Sequence, residues 1–239
     1  MQKKETNKDV IIACDFKNMH QLQDFLDLFP KEEKPFLKIG MQLFYSVGPD
    51  VVKKVKNLGH RVFLDLKVCD TPTTVFNTMR ELRDLSVDLT NVHAFGGIEM
   101  MESAIKGLSY ESGWRQTKLI AVTMLTSIKE ATMHEELLID EEMNPVVMHY
   151  AHNAKTAGLD GVVCSVHEAE GVHTVCGNNF LAVTPDIQFA NGKQLPGQQR
   201  VATPSYAKDM NSDFIVVGRA ITEAPNPVEA YQRAVQEFH

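Results

Sequence analysis

Little in this 239-residue chain suits a membrane, a disulfide framework or a nucleic-acid surface. No uninterrupted apolar run approaches the ~20 residues that a membrane-spanning helix needs. The N-terminal stretch MQKKETNKDV is polar and leads into a short apolar run, not into the longer apolar core of a secretion signal. Cysteine is scarce: Cys14, Cys69, Cys164 and Cys176 make no C-x-x-C pair and no zinc-ligand spacing. Without a secretory signal, reduced thiols in a cytoplasmic protein are expected. Positive charge is also short. The formal net charge of -7 disfavours a broad footprint for nucleic acid, while leaving room for a few local cations to govern a pocket for a small anion. There is no Walker A loop, no G-x-G-x-x-G and no H-E-x-x-H. His134, His149, His152, His167 and His173 form no paired-ligand pattern, so no metal is assigned.

What is present is enough apolar sequence for a sizeable core, with 44% hydrophobic and 23% charged residues. Short β-branched runs recur at 10–16, 36–40, 61–67, 89–94, 118–125, 161–165, 180–185 and 214–219. They are nearly continuous in apolar character, as strands covered on both faces are. Amphipathic patterns separate them. Asn18 is placed to cap a helix whose apolar face is Leu22, Phe25, Leu26 and Phe29, and Thr-Pro pairs at 71–72 and 203–204 mark two further helix starts. Eight strands, each followed by a helical segment, predict an α/β fold closed as a (β/α)8 TIM barrel, with residues 1–239 forming a single domain. The rival is an open doubly wound sheet, which the strand count disfavours. The eleven methionines read as packing material.

A barrel places its chemistry at the C-terminal ends of the strands. Several of those ends are charged. The stretch RVFLDLKVCDTP interrupts an apolar run with Asp65, Lys67 and Asp70; Lys38 stands on the preceding strand and Asp15 at the end of the first. Residues two apart on a strand share a face, so Asp65 and Lys67 lie side by side, and inward-facing charges must be paired. Lys38 extends them into an alternating array in which neighbouring carboxylates keep an ammonium protonated. His93 ends the fourth strand and reads as a hydrogen-bonded strand-end histidine. Thr126 and Ser127 follow the fifth, and the eighth runs into Gly218-Arg219, a turn suited to an anion. The Gly-, Gln- and Pro-rich segment FANGKQLPGQQR, 189–200, follows the seventh strand, where a lid over a phosphate is expected.

With these pieces in order, the chain resembles orotidine 5'-phosphate decarboxylases of the bacterial type. The matching segments are ACDF, FLKIGMQLFYSVGP, FLDLKVCDTPTTV, NVHAFGG, VTMLTS, GLDGVVCS, VTPDI and IVVGRAIT. The resemblance implies a homodimer that converts orotidine 5'-monophosphate to UMP, the last step of de novo pyrimidine nucleotide synthesis, with no metal or organic cofactor. It implies that Lys67 protonates C6 of the pyrimidine and that Asp65 and Lys38 flank it. Asp70 completes a tetrad in the other subunit's site, together with Thr71 and Thr74. Asp15 and Lys38 hold ribose hydroxyls, Thr126 contacts the base, and Gln198, Gly218 and Arg219 bind phosphate, with Gln188 on the same side. Gln198 is taken rather than Gln199 because it stands two residues before Arg200.

Two segments depart from the family pattern. Cys69-Asp70-Thr71-Pro72-Thr73-Thr74 replaces a usual His-Asp-Ile-Pro-Asn-Thr while keeping the acid. Asp186 and Gln188 stand where bacterial relatives usually carry Gly and Arg. A carboxylate about 8 Å from a phosphate at an effective dielectric near 20 costs roughly 2 kcal/mol. Two other functions share this sequence pattern: a Mg-dependent sugar-phosphate lyase or aldolase on a related barrel, and a nucleotide-binding barrel without activity.

Overall fold

The computed structural model describes residues 8–190 and 202–239. Eight parallel strands, β1 (Asp9–Ala13), β2 (Phe36–Gly40), β3 (Val62–Val68), β4 (Leu89–His93), β5 (Lys118–Val122), β6 (Gly161–Val163), β7 (Leu181–Thr184) and β8 (Phe214–Val217), pair in sequence order. The ring closes where β1 meets β8, in register from Asp9 opposite Phe214 to Ile12 opposite Val217. Closure excludes the open sheet, and the (β/α)8 barrel expected from the strand count is the observed fold.

The apolar runs are continuous because both strand faces are covered. Alternate residues point to opposite sides. Ile11, Ala13, Phe36, Phe63, Leu89, Ile120, Val183, Phe214 and Val216 form one buried cluster inside the barrel. The intervening Val10, Ile12, Leu37, Ile39, Val62 and Leu64 pack outward in the larger core beneath the helices.

The helices obey their local signals. Asn18 accepts a hydrogen bond from the Gln21 amide at 3.0 Å and caps Met19–Leu26, which buries Leu22, Phe25 and Leu26. Pro72 opens the helix Pro72–Arg83, whose Val75, Met79 and Leu82 recur at helical spacing and are buried. Each such side chain contributes roughly 1.5–3 kcal/mol through lost apolar exposure, so a charge at Met79 would break this contact first. The neighbouring helix Gly97–Leu108 packs closely because Gly107 has no side chain: a Cβ there would come within 2.4 Å of the Phe76 carbonyl oxygen.

Several strands stop earlier than their apolar runs. β1 ends at Ala13 and β5 at Val122, so Asp15 lies beyond the strand and not on it. Backbone pairing persists for one more residue in three places, from Cys14 N to Lys38 O, Thr123 N to Val163 O and Cys164 N to Val183 O. The chain then turns into the loops of the mouth while Cys14, Thr123, Met124 and Cys164 remain buried. Hydropathy therefore overstates strand length at this end. Among the described residues, no helix is long and apolar enough to cross a membrane.

Candidate active site

The row of inward-facing side chains changes character towards the C-terminal mouth. Lys38 follows Phe36 by two residues on β2, and Asp65 follows Phe63 on β3. Both therefore continue an apolar, axis-facing row as charges. Above them is a cavity of about 580 Å³, lined in part by Asp15, Lys38, Asp65, Lys67, Thr126, Gly218 and Arg219.

Three ion pairs connect the charges. The Lys67 ammonium lies 2.6 Å from Asp65 Oδ1. The Lys38 ammonium lies 3.2 Å from Asp65 Oδ2 and 3.2 Å from Asp15 Oδ1. Asp65, only 8% exposed, is thus gripped by two cations. Burial alone would push its carboxyl upward; Lys38 and Lys67, with hydrogen bonds from Lys67 and Asn91, outweigh that and hold it below the usual carboxylate range. Burial would likewise lower the Lys38 amine, but Asp65 and Asp15 draw it above its ordinary value. Both residues therefore stay charged at neutral pH. Gly40 makes room for the array, since a Cβ there would stand 2.9 Å from Asp15 Oδ1 and 3.2 Å from Lys38 Nζ.

The expected alternation of lysine and aspartate is present, with one difference. Within this chain the array ends on Asp15. Among the described residues, Lys67 pairs with Asp65 and not with Asp70, which is exposed and accepts from the Thr71 amide at 2.6 Å. Thr71 and Thr74 are also exposed, with their hydroxyls 3.0 Å apart. None of these three lines the cavity. Gln188 is buried, takes the Ala202 carbonyl on its backbone amide and stands off the lining as well. Gln198, its alternative Gln199, and residues 191–200 of the expected lid lie outside the described residues.

His93 behaves as a strand-end residue. Its Nδ1 accepts from the Phe95 amide at 3.3 Å, and burial together with Lys67 keeps the ring neutral by lowering its pKa. Cys164 is buried in the cavity wall. Among the described residues, no group of three or more His, Cys, Asp or Glu is arranged to hold a metal ion.

Asp186 lines the same cavity as Arg219, and its backbone is left-handed, with φ of 61°. That conformation suits glycine and, among other residues, asparagine and aspartate best. The residue at this position is thus constrained by the turn after β7, a property that the sequence does not display. Asn91 was missed altogether. It is fully buried on β4, two residues beyond the inward-facing Leu89, and that alternation was the one available signal.

A comparison with known proteins can be set against this geometry. The model of the orotidine 5'-phosphate decarboxylase / HUMPS family matches residues 8–234. The chain belongs to that family. The match includes all eight strands, so family membership extends over the whole cavity. Among curated members, the orotidine 5'-phosphate decarboxylase of Streptococcus mutans is 48% identical over 229 residues, covering 96% of this chain and 97% of its own. That of Bacillus cereus is 46% identical over 234 residues, covering 97% and 98%. Among solved structures, the orotidine 5'-phosphate decarboxylase of Lactobacillus acidophilus superposes with a TM-score of 0.85 at 40% identity, covering 97% of this chain and 99% of its own. An uncharacterized conserved protein of Geobacillus kaustophilus gives 0.84 at 42% identity, covering 96% and 100%.

Proposed function

We propose that this family member decarboxylates orotidine 5'-monophosphate to UMP and CO₂ in the cytoplasm, as a homodimer of single-domain subunits, without metal or organic cofactor. The observation that carries the reading is the Lys67 ammonium, 2.6 Å from a buried carboxylate and facing a cavity large enough for a nucleotide.

The reaction breaks the bond between C6 and the carboxylate, and the electron pair stays on a ring carbon with poor delocalisation. A fixed ammonium beside C6 stabilises that charge as it develops. Lys67 then gives its proton to C6 and recovers one from solvent. Asp65 orients the ammonium from one side, and Asp70 of the partner subunit from the other. Its exposure within one chain leaves Asp70 accessible to a second copy. Thr71 and Thr74 accompany it. Asp15 and Lys38 take the ribose hydroxyls, Thr126 the base, and Gly218, Arg219 and Gln198 the phosphate, with Gln188 supporting that side. Phosphate binding energy expressed in loop closure would make contacts far from C6 affect turnover as well as KM.

The test is direct. Purified protein should remove orotidine 5'-monophosphate absorbance at an undiminished rate in EDTA. A strict Mg²⁺ requirement, with turnover of a pentose or hexulose phosphate, would instead indicate the lyase reading, and UMP binding without turnover the inactive barrel. Mixed Asp70→Ala and Lys67→Ala subunits should regain activity, since some sites then combine intact copies of both residues. No recovery despite confirmed subunit exchange would reject the shared site.

A further inference from the structure

We infer that Asn91 is a positioning residue for Lys67, acting as a clamp that fixes both ends of that lysine through a single amide. The inference rests on the functional reading above for its consequence in turnover, but its geometry stands independently.

The pairing of β3 with β4 is interrupted at this point. Phe63 faces Leu89 and Leu64 faces Thr90, yet the next pair is Val68 with Val92, so β3 carries extra chain between Leu64 and Val68. Within that bulge Lys67 adopts φ of 50°, a conformation that non-glycine residues seldom hold without support. A bulge removes ladder hydrogen bonds and leaves backbone groups to be satisfied in other ways. Asn91 does this: its Oδ1 accepts the Lys67 backbone amide at 2.8 Å. Its Nδ2 donates to Asp65 Oδ1 at 2.7 Å, the same oxygen that receives the Lys67 ammonium at 2.6 Å. The two partners also fix the amide's orientation, because a backbone N–H can only donate and an ionised carboxylate can only accept.

The contacts form a closed circuit: Lys67 backbone, Asn91 amide, Asp65 carboxylate, Lys67 ammonium. Asn91 itself is 0% exposed and is not part of the cavity lining, so it has no access to a bound nucleotide. Its effect must pass through Lys67 and Asp65. At neutral pH no other type of side chain of this length offers one donor and one acceptor in the required fork. Leucine would leave the Lys67 amide without an acceptor in a buried site, and aspartate would place a second carboxylate against Asp65.

The test uses the full chain with Asn91→Ala, Asn91→Asp and a control, Thr90→Val. Thr90 is equally buried on the same strand, and its hydroxyl donates to the Leu64 carbonyl at 2.9 Å without touching a charge. Thr90→Val should lower Tm and leave kcat and its pH profile unchanged. Folded Asn91→Ala should lose about 10²-fold or more in kcat, as expected when a catalytic group is misplaced by about 1 Å. Its KM and its affinity for UMP by calorimetry should move less than about threefold, and the acid limb of its pH profile should shift upward, because Asp65 loses a hydrogen bond that favours its ionised form. Asn91→Asp is isosteric and serves if the alanine variant does not fold. Once protonated, it again presents one donor and one acceptor, so its rate relative to wild type should rise as pH falls.

Motion of the Lys67 ammonium, followed by ¹⁵Nζ relaxation, provides a readout independent of turnover: ordered in wild type, mobile in Asn91→Ala. An equally ordered ammonium in both proteins would overturn the inference, as would a folded Asn91→Ala within threefold of wild-type kcat. A wild-type protein that leaves orotidine 5'-monophosphate intact would overturn the functional reading alone.

Discussion

The two ends of the barrel use the same charged residue types for opposite purposes. At the N-terminal base, Asp88, Asp160 and Asp213 immediately precede the even-numbered strands β4, β6 and β8. Each reaches back to the odd-numbered strand before it: Asp88 accepts the Val62 amide, Asp160 the Leu119 amide and Asp213 the Ala182 amide, at 2.8, 2.7 and 2.8 Å. Each is also matched with a cation: Lys56, Arg115 and His173 respectively. Charge at the base thus ends on the protein's own backbone. At the mouth, Asp65 has two ammoniums, and those ammoniums face a cavity. Satisfied charge stabilises a fold, whereas charge aimed at empty space is available to a ligand. Substitutions at the base should therefore change melting, and substitutions at the mouth should change turnover.

The largest effect is expected from Lys67→Ala. On the proposed mechanism it removes both a proton donor and a preorganised cation, effects of about 10²–10⁴-fold and 10²–10³-fold, so kcat should fall by ~10⁴-fold or more. Asp65 would keep Lys38 and Asn91 as partners, and Tm should stay within a few degrees of wild type. A melting loss comparable to that of a base mutant, with turnover preserved, would break the comparison.

Asp160→Ala is the matching experiment at the base. It strips both carboxylate contacts from Arg115, whose Nη1 keeps only the Thr117 carbonyl at 3.0 Å, and the acceptor from the Leu119 amide. Leaving these half-buried donors unmatched costs about 2–4 kcal/mol, or roughly 5–15 °C in Tm for a chain of this size. Thermal denaturation monitored by circular dichroism measures it. Initial rates at 25 °C should remain at wild-type level.

The barrel was legible in the sequence because eight apolar runs fully covered on both faces leave an unambiguous pattern; only their ends were misjudged, where burial outlasts pairing. Lys38, Asp65 and Lys67 were legible for the converse reason: charge inside an apolar strand has to be explained. Asn91 was not, since an asparagine near a strand end is ordinary until the bulge opposite it is known. The base aspartates were equally quiet, reading as polar residues at strand entries. The role proposed for Asp70, Thr71 and Thr74 is one that a single chain cannot display, because within it they are exposed and do not line the cavity.

Asp186 sharpens the comparison at the mouth, where it is an acid lining the same cavity as Arg219. Asparagine tolerates the left-handed backbone about as well, so Asp186→Asn removes charge without altering the turn. Relief of a like-charge repulsion of at most about 2 kcal/mol should lower KM several-fold and leave Tm unchanged. An unchanged or higher KM would show that the Asp186 charge does not oppose the substrate phosphate.

The smallest effect separates the two ends by pH. His173 sits with Nε2 2.9 Å from the Asn211 carbonyl oxygen and 3.4 Å from Asp213 Oδ2. Its hydrogen bond to Asp213 raises the imidazole pKa above the ordinary value of 6.5; burial opposes this, and the Asp213 charge adds to it. The folded state therefore holds a proton that the unfolded chain releases near its ordinary pKa. Stability from this pair is complete below that pH and is lost as pH rises through the elevated folded-state value. In urea denaturation, wild type should exceed His173→Gln by about 1–2 kcal/mol at pH 5.5, with the gap narrowing towards pH 9. Because the pair lies at the base, the pH dependence of kcat should be the same in both proteins. A gap that widens with pH would mean that His173 is held neutral and that Asp213 depends on its backbone partner alone.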